Sequence, residues 1–332
     1  MQSEKNAFLN WHLKSVMVLF TFCWLAMPAL AEKLEVVTTF SILGDLVTVV
    51  GGDRVAVVTL VGPDGDAHVF QPRPSDAKAV AGADLIVLNG LGFEGWIPRL
   101  LESAAYMGTS IIASEGIQAL KMREEEAHHD DEKEHHGDEE EHHGGEEGQH
   151  KDDEHHHGEM DPHAWQSVPN VMTYVKNIQS GLEKADPANA AVYKKNAADY
   201  QLKLQALDAE IRSALQQIPG SSRRVITSHD AFGYMAQEYG VEFIAPQGTS
   251  TESEASAKDV ASIIRQIRQE NIRAVFVENI SDPRLMEQIS RETSAKVGGK
   301  LYSDALSGAD EPAASYLGMM RHNVTTIANA LK

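Results

Sequence analysis

The chain has 332 residues, enough for two domains with cores of their own, since single domains usually run about 100 to 200 residues. Its formal net charge is −20, but residues 124–159 carry net −15, residues 1–31 add +1 and the rest carries −6, which excludes the basic footprint of a nucleic-acid binder. The one cysteine, Cys23, lies so early that the chain beyond it can form neither a disulfide nor a thiolate metal site, and any metal chemistry there must use histidine and carboxylates.

Residues 1–31 read as an export signal: Lys5 and Lys14 give a charged start, residues 16–27 an apolar core, and Ala29-Leu30-Ala31 a cleavage site, so the mature chain is predicted to begin at Glu32 in the periplasm. The apolar run is too short for about 30 Å of hydrocarbon. The residues before Cys23 lack the small-residue pattern of a lipid-anchored signal, and no membrane anchor is expected.

From residue 33 onward, β-branched runs alternate with helical patterns. Segments 33–40, 54–60 and 84–88 read as strands, with helices over 41–50 and 75–81, the second capped by Ser75. Residues 124–159 hold ten histidines (His128, His129, His135, His136, His142, His143, His150, His155, His156 and His157) among seventeen acids and almost no apolar residues. Such a tract cannot bury enough apolar surface to offset its ordering entropy, so a disordered loop is expected. Solubility would need only acids, and weak, multiple metal binding explains the histidines better than a plain charged loop or a purification tag. Residues 187–217 then form a helical pattern without internal glycine or proline, with Asp186 as its cap and Val192, Ala198, Leu202, Leu204, Leu207, Ile211 and Leu215 as its stripe. It reads equally as a rod running along two lobes or as an ordinary surface helix. Strand patterns return at 223–228, 241–245, 273–277 and 300–303, with helices over 256–270 and 283–293 between them, and the alternation predicts an α/β fold with parallel sheets flanked by helices.

With the signal and the tract set aside, four histidines remain. His68 follows the second strand in GPDGDAHVFQPRPSD, His229 follows the strand RRVITS and opens a helix, and Asp304 follows KLYS. Ligands of open α/β sheets bind beyond the carboxyl ends of strands, so these side chains are candidates to converge. His163 lies in DPHAW, where Asp161 either accepts from the ring nitrogen turned away from a metal or caps a turn before Pro162. Trp165 either walls the site from water or packs beneath it. His322 belongs to the last helix and reads as structural.

Together with NGLGFEGW at 89–96 and the terminal YLGMMRHNVTTIANAL, the motifs GDAHVFQPRPSD, DPHAW, TSHDAFGY and YSDAL resemble the metal-specific substrate-binding proteins of ABC importers for zinc and manganese, in family order and over essentially the whole mature chain. The resemblance implies two pseudo-symmetric α/β lobes joined by a long rigid helix, with metal between them. It places the lobes at 32–167 and 218–332, joined through 168–217. Carried over by motif, the ligands are His68, His163, His229 and Asp304, with water or Asp66 as alternatives to Asp304.

Manganese-preferring relatives usually carry glutamate where this chain has His229, and three imidazoles with one carboxylate suit tetrahedral Zn2+. The histidine-rich insertion is likewise typical of the zinc-specific, ZnuA-type members, and the expected partner is an inner-membrane ABC permease, with the binding protein a monomer. Some zinc-type relatives carry a disulfide in the second lobe that is impossible here. A manganese importer component and a stand-alone zinc chaperone are the alternatives. A zinc hydrolase is disfavoured, because there is no HExxH helix and four protein ligands close the site.

Overall fold

Val36, Val37, Thr38, Thr39 and Phe40 are all buried, the mark of a strand covered by helices on both faces, and β1 (Leu34–Phe40) is an interior strand of a four-stranded sheet. In this computed structural model, which describes residues 32–122 and 160–332, β2 (Val55–Val61), β3 (Leu85–Leu88) and β4 (Thr109–Ile112) complete that sheet in the order β2-β1-β3-β4, all parallel. The predicted export signal and the ten tract histidines lie outside the described residues. Helices α1 (Ser41–Gly51), α2 (Pro74–Ala81) and α3 (Ile97–Ser103) form the crossovers.

After α4 (Val168–Ala185) and α5 (Ala190–Gln216) the pattern repeats. β5 (Arg224–Ile226), α6 (Gly233–Tyr239), β6 (Glu242–Ile244), α7 (Ala257–Glu270), β7 (Ala274–Glu278), α8 (Arg284–Glu292) and β8 (Lys296–Leu301) build a second parallel sheet of order β6-β5-β7-β8, and α9 (Tyr316–Leu331) closes the chain. Each sheet is thus wound in the same order, as expected of two pseudo-symmetric lobes.

The structure moves several predicted boundaries. β4 was absent from the sequence reading because its four residues sit at a sheet edge, and none of them is buried. β8 begins at Lys296, not at 300, because Gly298 and Gly299 hide its pattern. A Cβ at Gly298 would lie 2.6 Å from the Phe276 ring, so close packing requires the glycine. Ser75 lies within α2, whose N-cap is Arg73, while Ser256 does cap α7 through a reciprocal pair with Asp259.

The long helix α5 has 27 residues, about 40 Å at 1.5 Å per residue. Pro187–Asn189 form a separate 3-10 turn before it, in which Asp186 accepts from Asn189 Nδ2 and the Tyr193 hydroxyl. Its early turns reach the first lobe, with Asn196 Nδ2 donating to Val50 O at 3.1 Å, and its later turns reach the second, through Glu210–Arg321 at 2.9 Å and Arg212 donating to Glu238 O. Of the two readings of this helix, the rod along both lobes is the one observed.

Candidate metal centre

Three of the four predicted ligands lie in loops beyond strand ends, and the fourth, His163, lies just ahead of a helical turn. His68 stands on the loop after β2, His163 before the 3-10 turn Ala164–Gln166, His229 after β5, and Asp304 after β8. His229 does not open a helix: its carbonyl accepts from the Thr227 hydroxyl and from Ala231 N–H in a tight turn, and α6 starts only at Gly233.

The four side chains meet. One ligand atom from each of His68, His163, His229 and Asp304 lies within 4.8 Å of all the others. Asp304 Oδ2 is 3.1 Å from both His68 Nε2 and His229 Nε2, His163 Nε2 is 3.3 Å from His68 Nε2, and Asp304 Oδ1 is 3.6 Å from His163 Nε2. A tetrahedron with zinc–nitrogen bonds of about 2.0–2.1 Å has edges of about 3.3–3.4 Å, so these separations suit one ion at the centre. Asp304 Oδ1 is buried and accepts no hydrogen bond, an oxygen left with a free lone pair amid imidazoles. Asp66 stays out of the cluster, with one carboxylate oxygen accepting His68 N–H at 2.9 Å.

The outer ring nitrogens of His163 and His229 face carboxylates. His163 Nδ1 donates to Asp161 Oδ1 at 2.8 Å, and the same oxygen accepts His163 N–H at 2.9 Å, so Asp161 serves both as turn residue and as ring anchor. For His229 the partner is Glu278, which the sequence reading did not find. Glu278 Oε1 accepts Ser228 N–H and His229 N–H, while Oε2 lies 2.6 Å from His229 Nδ1, off the axis of a linear hydrogen bond. Such contacts turn each Nε2 toward the cluster and raise its basicity.

Burial disfavours charge on His229, yet Glu278 and Asp304 together outweigh it and hold the pKa of this imidazole well above the ordinary histidine range. Burial likewise works against the Asp304 carboxylate, and His229 and His163 overcome it, keeping its pKa well below the ordinary range. The floor is aromatic. Phe93 meets His68 edge-on at 4.8 Å, and Trp165 meets His163 at 5.3 Å while donating its Nε1–H to Ser303 O on the other lobe. Phe93 is presented by a loop clamped on buried Glu94, which accepts from Asn89 N–H, Gly90 N–H and the Thr39 hydroxyl. Trp165, fully buried, therefore packs beneath the site. His322 stays apart, its Nε2 against Lys300 O at 3.0 Å.

Two facing α/β lobes with a buried three-histidine, one-aspartate cluster between strand ends define a divalent-metal-binding protein with its site in an interlobe cleft. Residues 36–330 match the family model described as "ZnuA: Zinc-uptake complex component A periplasmic". The chain is 33% identical over 298 residues to the iron-binding protein YfeA of Yersinia pestis, covering 90% of this chain and 86% of YfeA. It is 31% identical over 306 residues to the manganese-binding lipoprotein MntA of Bacillus subtilis, covering 91% and 90%. The solved structure of the periplasmic zinc-binding protein TroA from Treponema pallidum superposes with a TM-score of 0.77 at 30% identity, covering 90% of this chain and 99% of that one. The chain belongs to the ZnuA family, the extracytoplasmic metal-binding components of ABC importers, which are not enzymes and work with an inner-membrane permease.

Proposed function

We propose that this protein captures zinc in the cleft between its lobes and delivers it to the permease of an ABC importer for uptake. The observation that carries this reading is the convergence of His68, His163, His229 and Asp304 on one point. Three imidazoles and a carboxylate suit a borderline-soft ion that accepts four ligands, whereas manganese favours more oxygen. The histidine at position 229, where manganese-preferring relatives usually carry glutamate, points the same way. The ten histidines of residues 124–159 fit a supply role, gathering zinc at low concentration or sensing its excess. In this reading the mature chain begins at Glu32, is monomeric and unanchored, and consists of lobes 32–167 and 218–332 joined through 168–217.

Manganese is the second reading, and one feature favours it besides the names of the relatives. Both oxygens of Asp304 face the imidazoles, so a bidentate carboxylate would supply a three-nitrogen, two-oxygen set. Competition titration with zinc and manganese, on protein lacking residues 127–158, tests the zinc reading, and because nitrogen and oxygen sites generally rank zinc above manganese, only the reverse order is diagnostic. Tighter binding of manganese than of zinc would overturn the zinc assignment while leaving the site intact. In the same titration, His229→Ala is expected to weaken zinc binding more than removal of residues 127–158 does, and equal losses would count against the cluster as the main site.

A further inference from the structure

Two of the clustered histidines follow the same local device, with different outcomes. In Asp66-Ala67-His68 and in Asp161-Pro162-His163, the aspartate Oδ1 accepts the backbone N–H of the histidine two residues on, at 2.9 Å in both. In the second, that oxygen also takes the ring nitrogen of His163, so the aspartate holds its own histidine. In the first, the carboxylate reaches out of its lobe: Asp66 Oδ2 accepts the hydroxyl of Thr251 at 2.6 Å. Thr251 lies between β6 and α7, on the opposite lobe. The same loop is tied across the cleft twice more, by Asn279 Nδ2 donating to Asp64 Oδ1 and by Asp64 N–H donating to Leu306 O, each at 2.9 Å.

His68 therefore differs from its neighbours in what holds it. His163 and His229 lean on carboxylates within reach of their own backbone, Asp161 and Glu278. His68 rests on the edge of Phe93 and on a loop that the other lobe grips. Its side chain keeps 5% exposure, while those of His163, His229 and Asp304 have none. An ion held by four ligands leaves by losing one first, and the accessible ligand on the cross-lobe loop is the one that can swing away.

We propose that Thr251 is a positioning residue for metal retention: through Asp66 it holds His68 over the cluster from the opposite lobe, and breaking this contact opens the site for release. The proposal rests on the reading of the cluster as the metal site. A hydroxyl donating to a carboxylate is charge-assisted, and its loss is expected to speed dissociation by about tenfold. Association should change little, because the cluster and its outer anchors remain as they were and substitutions at a binding surface act mainly on off-rates.

The test uses the full chain loaded with zinc(II), with release followed by stopped-flow mixing into excess chromogenic chelator. Thr251→Val, which keeps the shape and removes the hydroxyl, is expected to release zinc about tenfold faster at an unchanged association rate. Thr251→Ser, which keeps the hydroxyl, should restore slow release, and all forms should share one thermal transition without metal. Native release by Thr251→Val, or release by Thr251→Ser as fast as by Thr251→Val, would overturn the role of Thr251. A His229→Ala arm tells that failure from a deeper one: if this variant binds zinc as tightly as the native chain, the cluster is not the site and the proposal falls with it.

Discussion

A proton and a metal ion compete for His229. Burial alone would push the pKa of this imidazole down, but Glu278 and Asp304 hold it well above the ordinary range, so the metal-free side chain is charged at pH values where an ordinary histidine is neutral. In the metal-free fold that charge stabilises: the contribution is fully present below the unfolded value near about 6.5 and is lost as pH rises through the raised folded value. Metal needs the neutral ring, so binding must expel the proton. Affinity is therefore expected to fall by about tenfold per pH unit as pH drops below the raised pKa of His229. Calorimetry in buffers of different ionisation enthalpy should register the released proton at neutral pH. Glu278→Gln removes one of the charges that raise the pKa and should shift the whole window to lower pH; an unshifted window would show that Glu278 does not set the proton affinity of His229.

At the scale of elements, α5 shows what periodicity alone reveals. The stripe read from its apolar residues was correct from Leu204 onward, where Leu204, Leu207, Ile211 and Leu215 are buried. Upstream it was wrong: Leu202 is 66% exposed, and Tyr193, Ala197 and Tyr200 form the buried face in its place. The three- and four-residue spacing is continuous through the tyrosines, but a reading that follows only aliphatic residues slides off the face. Leu204→Ala is therefore expected to cost about 2–5 kcal/mol, whereas Leu202→Ala should stay within about 0.5 kcal/mol, as measured by denaturant unfolding of the metal-free protein. The site divides in a similar way. His68, His229 and Asp304 were legible because each follows a strand pattern, and His163 because it stands in the DPHAW motif between the charged tract and the next helix. Glu278 was not, because it is the last residue of the buried strand AVFVE, and nothing in that run marks which carboxylate will turn toward a histidine two strands' worth of sequence away. Glu94 escaped notice for a similar reason, since its role comes from a loop folding back on its own carboxylate.

For the molecule as a whole, the question is how far two lobes can move when they share one helix. α5 is packed on both, through Asn196 on one side and Glu210 and Arg212 on the other, and the aromatic floor crosses between lobes where Trp165 Nε1 and Gln166 Nε2 both donate to Ser303 O. The hydroxyl of Tyr316, on α9, donates to Trp165 O, and Leu306 N–H donates to Ser41 Oγ, adding further buried ties between the halves. Opening by a wide hinge would break these buried hydrogen bonds together, each costing about 1–3 kcal/mol when a partner is left unsatisfied. Movement of the loops alone spares them, because the cross-lobe contacts of residues 62–68 and of Thr251 lie nearer the surface. Loading with metal is therefore expected to leave the radius of gyration unchanged in small-angle scattering, unlike the closure of binders whose lobes are joined by flexible strands. Hydrogen exchange should slow on metal binding in residues 62–68 and 246–256 and stay constant along α5; slowed exchange within α5, or contraction of the whole particle, would show that the helix yields and that the lobes close as hinged bodies.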